Sequence, residues 1–186
     1  MKNILIVSGE VYTDEPGLNN MIVRKLKEKY PQAELDILGN LYPDYNIDIQ
    51  KEQEKLLKAD IIVLQSPIYW YSISSLARRW IEQVFAFGWA YGTGGEALKG
   101  KTAILGLTAG GSAEDYSDGA DAVISEEELL KPLSLIFRYC HMNELKPVFT
   151  PSAYGAGSAD PAEKSYAEDL AQKHTDQIAS LIDSVL

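Results

Sequence analysis

Short apolar runs alternate with stretches of helical periodicity along the whole chain of 186 residues. The apolar runs predict β-strands, and several are too continuously apolar to leave one face in water. Strands that are buried on both faces require helices on both sides of the sheet. The predicted strands lie at 3–8, 33–38, 60–65, 102–108 and 144–149. The stretches between and after them predict helices at 18–30, 51–58, 74–87, 125–141 and 161–184.

Two of these helices carry clear signals. The third has apolar residues at the three-and-four spacing of one helix face, namely Ile73, Leu76, Ala77, Trp80, Ile81, Val84 and Phe85. The last begins with Asp160, Pro161 and Glu163, which supply a capping acceptor, a proline at the first helical position and an acid in the first turn. The third helix is therefore expected to pack on the sheet, and the last to begin at about residue 161.

The order of elements indicates an α/β fold. Five β-α units joined by right-handed crossovers build a five-stranded parallel sheet of order 2-1-3-4-5 with helices on both faces, which is a flavodoxin-like architecture. We expect one domain that spans residues 1–186. In such sheets a ligand binds beyond the carboxyl ends of the strands, beside the point where the strand order reverses. Three loops therefore matter most, at 9–19, 66–73 and 109–122.

Composition narrows the class of partner. The formal net charge of −10 argues against nucleic acid or an anionic membrane surface as the main partner, because both bind clustered Lys and Arg. The only cysteine, Cys140, has no partner for an internal disulfide. The apolar run in the segment MKNILIVSGE is too short for a signal peptide. No segment approaches the roughly 20 apolar residues of a membrane helix. A cytoplasmic location is the expectation.

The second loop contains SPIYWYS at 66–72, in which Tyr69, Trp70 and Tyr71 follow one another. Loops ordinarily collect small polar residues, so three aromatic rings need an explanation. Flat side chains and nearby backbone N–H groups suit a planar heterocycle such as a flavin. The alternative is that the rings cover the following helix or a subunit interface.

Residues 65–101, which include W-I-E-x-V-F, G-W-A-Y-G and G-G-x-A-L-x-G-K in one register, resemble the flavodoxin-like NAD(P)H:quinone oxidoreductase family. The bacterial members related to ancillary reductases of potassium-efflux systems are the most similar, and the resemblance extends to 41–65, 108–116 and 138–149. It implies a bound FMN, or FAD, that takes hydride from NADPH or NADH and passes two electrons to a quinone or similar acceptor. It also implies a homodimer, with the segment containing Phe85, Phe87, Trp89 and Tyr91 as a contributor to the interface.

The same resemblance implies which residues bind the cofactor. The segment Pro67, Ile68, Tyr69 and Trp70 matches the part of the family that wraps the flavin ring. The turn Thr108, Ala109, Gly110 and Gly111 matches the family's T-T-G-G turn, whose N–H groups reach the ring edge; unaided by the resemblance, a double glycine there is simply a turn. Tyr116 matches a tyrosine that helps to stabilise the reduced flavin in the more distant mammalian quinone reductases. Their following histidine is absent here, where the chain reads Ser117-Asp118-Gly119-Ala120-Asp121-Ala122.

The first loop departs from the family pattern. In the family, a His-Pro pair and a later Ser-x-x-Asn segment bind the flavin phosphate near the start of the first helix. Glu10 aligns with the histidine, while Gly17, Leu18, Asn19 and Asn20 match the later segment and could still donate to a phosphate. Glu10, Asp14 and Glu15 would repel a phosphate if they pointed inward. We expect these carboxylates to face solvent and to favour the helix N-terminus.

Other polar residues have structural explanations. Cys140 and His141 are adjacent, so on a helix they project in different directions, and a buried thiol is the expected role of Cys140. His174 falls on the last helix between Leu170 and Ile178 and is expected to pack there. The run Ser125-Glu126-Glu127-Glu128 opens a helix, and no metal site is expected. Arg78 and Arg79 either reach a cofactor phosphate or solvate a helix face.

Two other classes of protein stay open from the sequence. The chain could be a flavodoxin-type electron carrier, although carriers need an exposed ring edge and the aromatic and GWAYGTGGEAL segments are expected to roof the site. It could also be an interaction protein that associates peripherally with a membrane transporter and has weak or lost redox activity.

Overall fold

The computed structural model describes residues 2–14, 16–119 and 122–186. Its strands are β1 (Ile4–Ser8), β2 (Glu34–Ile37), β3 (Ile61–Tyr69), β4 (Ser72–Ile73), β5 (Thr102–Thr108), β6 (Asn143–Glu144) and β7 (Val148–Thr150). Its α-helices are α1 (Leu18–Lys29), α2 (Leu38–Leu41), α3 (Ile49–Lys58), α4 (Ser75–Val84), α5 (Glu126–Tyr139) and α6 (Pro161–Asp183). The five longer helices agree with the predicted ones, and α2 was not predicted.

The sheet has β1 next to β2 on one side and β3 on the other, all parallel. Strand β5 follows β3, also in parallel, and the described sheet has the order β2-β1-β3-β5-β6. The predicted flavodoxin-like α/β architecture is confirmed, because the order reverses at β1 and β3 as expected. The predicted five strands in the order 2-1-3-4-5 are wrong, because the sheet formed by the described residues has seven strands.

Two local features account for the difference in strand number. The end of β3 folds back into the two-residue antiparallel strand β4, which shifts the numbering of every later strand. The last predicted strand, 144–149, is split, since β6 pairs with the start of β5 and β7 pairs with its end. Pro147 lies in the gap between them and has no backbone N–H to give to a sheet ladder.

The strands alternate their side chains between two cores. Along β1, Leu5 and Val7 face the core that α3, α4 and α5 cover, whereas Ile4 and Ile6 face the core under α1 and α6. Helix α4 contributes the fully buried Trp80. Both faces of the sheet are therefore covered, as the continuously apolar strands predict. Within the part of the chain that the structure describes, no helix has the length and apolar character needed to span a membrane.

The helix caps are those that the sequence predicts. Asp160 accepts a hydrogen bond from the backbone N–H of Ala162 at 2.8 Å, and Pro161 opens α6. Ser125 and Glu128 form a reciprocal capping box at the start of α5. The acids of that run are thus helix-terminal residues, and among the described residues no cluster of His, Cys, Asp or Glu could hold a metal ion.

A buried ion network joins β2 to α3. The ammonium group of Lys55 lies 2.7 Å from Asp36 Oδ2 and 2.7 Å from Glu52 Oε1. Glu52 is fully buried and also accepts hydrogen bonds from the Tyr42 hydroxyl and from Trp80 Nε1, both at 2.8 Å. The network satisfies the buried charges, which would otherwise be costly to remove from water.

Candidate functional site

The predicted loop 66–73 is mostly strand. Strand β3 continues through Ser66, Pro67 and Ile68 to Tyr69 and then returns as β4, so the prediction of a loop over 66–73 is wrong for all but the turn residues 70 and 71. Pro67 is paired in register with Thr108 of β5. The two predicted cofactor-binding segments, 67–70 and 108–111, therefore begin side by side at the carboxyl edge of the sheet.

Trp70 and Tyr71 are the two central residues of the tight turn between β3 and β4. Their φ angles are 49° and 60°, in the left-handed region that hairpin turns of type I′ require at both positions. That region is unfavourable for residues with a Cβ, and Asn and Gly are its usual occupants. The Trp70 side chain is 95% exposed. Two large aromatic residues thus occupy strained backbone positions without a packing role in the core, which is typical of functional sites.

A cleft of about 490 Å³ lies beside this hairpin, between the loops that follow β1 and β3. Its aromatic walls are Tyr12 and Tyr69, whose rings meet edge to face at 6.2 Å, together with Tyr45 and Trp70. Val11, Ser72, Ile73, Ser75 and Arg78 complete the lining. A cleft walled by aromatic rings suits a planar ligand.

The sequence reasoning missed Tyr12 and Tyr45. Tyr12 lies in the first of the three predicted loops, so an aromatic residue directly after β1 was a usable signal. Tyr45 follows α2, and nothing in its sequence surroundings indicates that it reaches the cleft. The Tyr45 hydroxyl is hydrogen-bonded to Ser75 Oγ at 2.8 Å, which fixes it against the start of α4.

The turn after β5 is fastened to the segment that follows β7. The N–H of Ala109 donates to the Thr150 carbonyl at 3.0 Å, and its carbonyl accepts from Ala153 at 2.9 Å. The Gly111 carbonyl accepts from the N–H of Ser152 at 2.7 Å. Among the hydrogen bonds of the described residues, none uses the N–H of Gly110 or Gly111. Two donors are thus held on a fixed backbone at the expected ligand edge, while the side chains of Thr108 and Ala109 are buried.

Tyr116 lies over this turn. Its ring meets that of Phe149 edge to face at 5.1 Å, and a Cβ added to Gly111 would be only 2.9 Å from its hydroxyl oxygen. Burial raises the pKa of Tyr116, and the nearby Asp115 and Tyr71 raise it further. The hydroxyl therefore stays protonated at neutral pH and can donate a hydrogen bond next to Gly111.

A buried polar chain supports the same turn from below. His174 is fully buried, with Nε2 2.9 Å from Gln65 Oε1 and Nδ1 2.8 Å from Thr150 Oγ1. Burial lowers the pKa of His174 to about 3, so the ring is neutral. Because a carbonyl oxygen only accepts, Nε2–H donates to Gln65 and Nδ1 accepts from the Thr150 hydroxyl. His174 thus positions Thr150, whose carbonyl in turn holds Ala109.

The first loop differs from the expectation. Glu10 is only 5% exposed, and its Oε1 accepts hydrogen bonds from the N–H groups of Val11 at 3.0 Å and Tyr12 at 3.1 Å. The prediction that this carboxylate faces solvent is wrong, because two backbone donors and the nearby start of α1 stabilise it inside. Asp14 is exposed, as predicted, and Glu15 lies outside the described residues, as do residues 120 and 121 of the third loop.

The segment Gly17, Leu18, Asn19 and Asn20 forms the start of α1. Gly17 is the residue before the helix, and its extended backbone is accompanied by no side-chain cap. Leu18 is buried in the core, so only its backbone could serve a ligand. Asn19 is 2% exposed and donates from Nδ2 to Ser8 Oγ at 3.1 Å, while its Oδ1 has no hydrogen-bond partner among the described residues.

Several other predicted residues lie where their chemistry is structural. Cys140 is buried, and burial raises the pKa of its thiol to about 11, so it is not a thiolate nucleophile. Arg79 donates from Nε to the Tyr45 carbonyl at 2.8 Å, whereas Arg78 lines the cleft and is 3.5 Å from Glu82. Phe85, which was expected to contribute to a dimer interface, is buried against Trp80, so its side chain offers little surface to a partner.

The remaining aromatic residues of that segment reach the surface. Phe87 is 68% exposed and meets Tyr91 edge to face at 5.9 Å, and Tyr91 meets the exposed Tyr139 at 5.3 Å. Trp89 is partly buried against the core. None of the residues from 85 to 101 lines the described cleft beside the hairpin.

Comparisons with known proteins agree with this architecture. A protein-family model, Flavodoxin_2, described as a flavodoxin-like fold, matches residues 2–175. The structure of general stress protein 14 from Treponema denticola, solved in complex with FMN, superposes with a TM-score of 0.82 at 26% identity over 97% of this chain and 99% of that one. A structure described as a thermophilic tryptophan halogenase from Streptomycin violaceusniger superposes with a TM-score of 0.74 at 31% identity over 92% of this chain and 96% of that one. An NADPH-quinone reductase from P. pentosaceus gives 0.66 at 21% identity over 94% and 98%.

Proposed function

Because the chain belongs to the flavodoxin-like fold family, we propose that it is a flavin-dependent oxidoreductase that binds FMN at the carboxyl edge of its sheet. The observation that carries the proposal is that an aromatic cleft lies beside the β3–β4 hairpin, and that two glycine N–H donors with no acceptor among the described residues follow β5, the strand paired with β3. The FMN in the Treponema protein, which has the same fold, supports the choice of cofactor over FAD.

The residues at this edge divide the work of holding a flavin. Tyr69 and Trp70 offer flat surfaces for the ring, and the N–H groups of Gly110 and Gly111 can donate to its edge. The Tyr116 hydroxyl, held protonated, adds a third donor beside Gly111. When bound, FMN would supply hydride transfer, which the protein side chains cannot perform. The protein's task is to orient the ring and to place donors where negative charge develops on reduction.

We propose NADPH or NADH as the electron donor and a quinone as the acceptor, each bound in turn at the same open face of the ring. The structural similarity to an NADPH-quinone reductase supports this reaction class. Fluorescence quenching during titration with FMN, and with FAD, tests cofactor binding. The reaction is then tested by following the oxidation of NADPH or NADH with a water-soluble quinone present and FMN equimolar with the protein.

A pair of tyrosine variants tests the role of Tyr116. Tyr116→Phe removes only the hydroxyl and should slow flavin reduction about tenfold or more, because it removes one donor to developing charge. Tyr154→Phe is the matched control, since Tyr154 stacks on Tyr166, is half exposed and is not among the neighbours of Gly111 that include Tyr116. Equal rates in both variants would remove Tyr116 from the proposed mechanism.

We also propose a homodimer. The exposed rings of Phe87 and Tyr139, joined through Tyr91, form an apolar surface of the type found at interface cores. A partner subunit could cover the cleft, whose lining includes none of the residues 85–101 of the same chain. Sedimentation equilibrium should find a dimer at micromolar concentration, and a monomer with full activity would contradict this part of the proposal.

A second candidate function is electron carriage, and the open cleft favours it. A carrier needs an exposed ring edge, and the cleft beside the hairpin is open to solvent. The two candidates differ in their reaction with nicotinamides: a carrier accepts electrons from a partner protein, whereas the proposed enzyme oxidises NADPH or NADH directly. An interaction protein bound to a membrane transporter, with weak or lost redox activity, would oxidise nicotinamides slowly or not at all.

A further inference from the structure

The carboxylate of Glu10 is an anion that the chain itself places inside its first loop. Its Oε1 takes the N–H groups of two successive residues, Val11 and Tyr12. Its Oε2 faces the start of α1, because a Cβ added to Gly17 would have this oxygen as its nearest neighbour, at 3.9 Å. With 5% exposure, the carboxylate is held by these donors and not by water.

Within the ranges that the structure describes, α1 supplies no anion of its own to the helix start that Glu10 approaches. Helix α1 has no side-chain cap and no acidic residue in its first turn. The N-terminus of a helix carries a partial positive charge and favours an anion. Glu10 supplies that anion from the loop, in the kind of position where a phosphate group binds to other helix starts.

A second feature of this position is a buried amide oxygen that has no hydrogen-bond partner in the described part of the chain. The Oδ1 atom of Asn19, in the first turn of α1, is buried without a hydrogen bond among the described residues, although Nδ2 of the same amide donates to Ser8 Oγ. Ser8 Oγ also accepts from the N–H of Glu10 at 3.3 Å, so one hydroxyl joins Asn19 to the Glu10 backbone. With the amide rotated by 180°, Oδ1 would accept from the Ser8 hydroxyl and a free N–H donor would remain for an anion.

We infer that Glu10 determines specificity between phosphorylated and unphosphorylated flavins, because its carboxylate lies at the start of α1, where the helix dipole and free N–H groups would favour a flavin phosphate. The inference rests on the proposed flavin function. FMN carries a phosphate of about two negative charges, which must displace the carboxylate or lie against it. Riboflavin has the same ring and no phosphate, so Glu10 does not oppose it. Wild-type protein should therefore gain little affinity from the phosphate of FMN.

Dissociation constants for FMN and riboflavin, measured by fluorescence quenching on three proteins, test the inference. Glu10→Gln keeps a carbonyl oxygen that can accept from Val11 and Tyr12 but removes the charge. Its affinity for FMN relative to riboflavin should rise about tenfold or more over wild type. Asp14→Asn removes one charge from the same loop at an exposed position. Its affinity for FMN relative to riboflavin should differ from that of wild type by less than about twofold, because solvent and salt screen the exposed charge.

Each outcome decides one question. If the affinity for FMN relative to riboflavin is the same in Glu10→Gln as in wild type, or changes as much in Asp14→Asn as in Glu10→Gln, the role of Glu10 is overturned while flavin binding stands. If none of the three proteins binds either flavin, the proposed function fails and the inference fails with it. Riboflavin binding also reports that Glu10→Gln is folded, so a damaged variant is not mistaken for an altered preference.

Discussion

The turn at Trp70 allows backbone strain and cofactor contact to be separated by two substitutions. Trp70→Gly and Trp70→Ala both remove a ring that is 95% exposed, so they lose the same small amount of burial. Of the two replacements, only glycine adopts a φ of 49° without strain. A left-handed residue with a Cβ costs roughly 1–2 kcal/mol, and the greater freedom of glycine in the unfolded chain costs about 0.5–1 kcal/mol. The glycine variant should therefore be about 1 kcal/mol more stable than the alanine variant.

Two measurements on the same variants complete the test. Thermal unfolding should place Tm of Trp70→Gly roughly 2–4 °C above that of Trp70→Ala, the shift expected for 1 kcal/mol in a chain of this size. FMN titration should show both variants weakened about 2- to 10-fold, because each loses the same stacking surface. If the two variants were equally stable, the turn would not be strained. If FMN affinity stayed at the wild-type value in both, Trp70 would not contact the flavin.

Three further predictions concern stability, each measured by urea unfolding. Burial lowers the pKa of His174 from 6.5 to about 3, so the free energy of unfolding of the wild type should fall by about 2 kcal/mol as the pH falls from 7 to 5. His174→Gln should lack this loss, and an equal pH dependence in both proteins would refute the prediction. Gly106→Ala should cost about 1–3 kcal/mol, because the new Cβ would lie 2.0 Å from Gln65 Oε1, and a neutral result would contradict that packing. Lys55→Met should lower the free energy of unfolding by about 3 kcal/mol, because it leaves two buried carboxylates without their cation. The exposed control Lys99→Met should lower it by less than about 1 kcal/mol, and similar losses in the two variants would refute the prediction.

The periodicity of the sequence was sufficient for the layers of the fold. Continuously apolar strands such as Ile4–Ser8 predict burial on both faces, and the structure covers both. The strand number was wrong because short strands carry little periodic signal. Ser72 and Ile73 form β4 only because two aromatic residues adopt left-handed backbone angles, which propensity argues against.

The candidate site was predictable in position and less so in detail. The loops after β1, β3 and β5 follow from topology, and the residues at 67–70 and 108–111 do start side by side. The orientation of Glu10 was not predictable from propensity, because it depends on two N–H groups of its own loop that only the folded backbone presents. Tyr45 reaches the cleft through tertiary packing, which has no local signature.

The central claim is that a flavin binds beside the turn after β5, and backbone amide NMR tests it most directly. Glycine amides of ¹⁵N-labelled protein would be followed as FMN is added to an equimolar ratio. The resonances of Gly110 and Gly111 should move strongly, because their N–H groups gain an acceptor. Gly100, which precedes β5 at the opposite edge of the sheet, should stay in place. Unmoved resonances of Gly110 and Gly111 at saturating FMN would contradict the account.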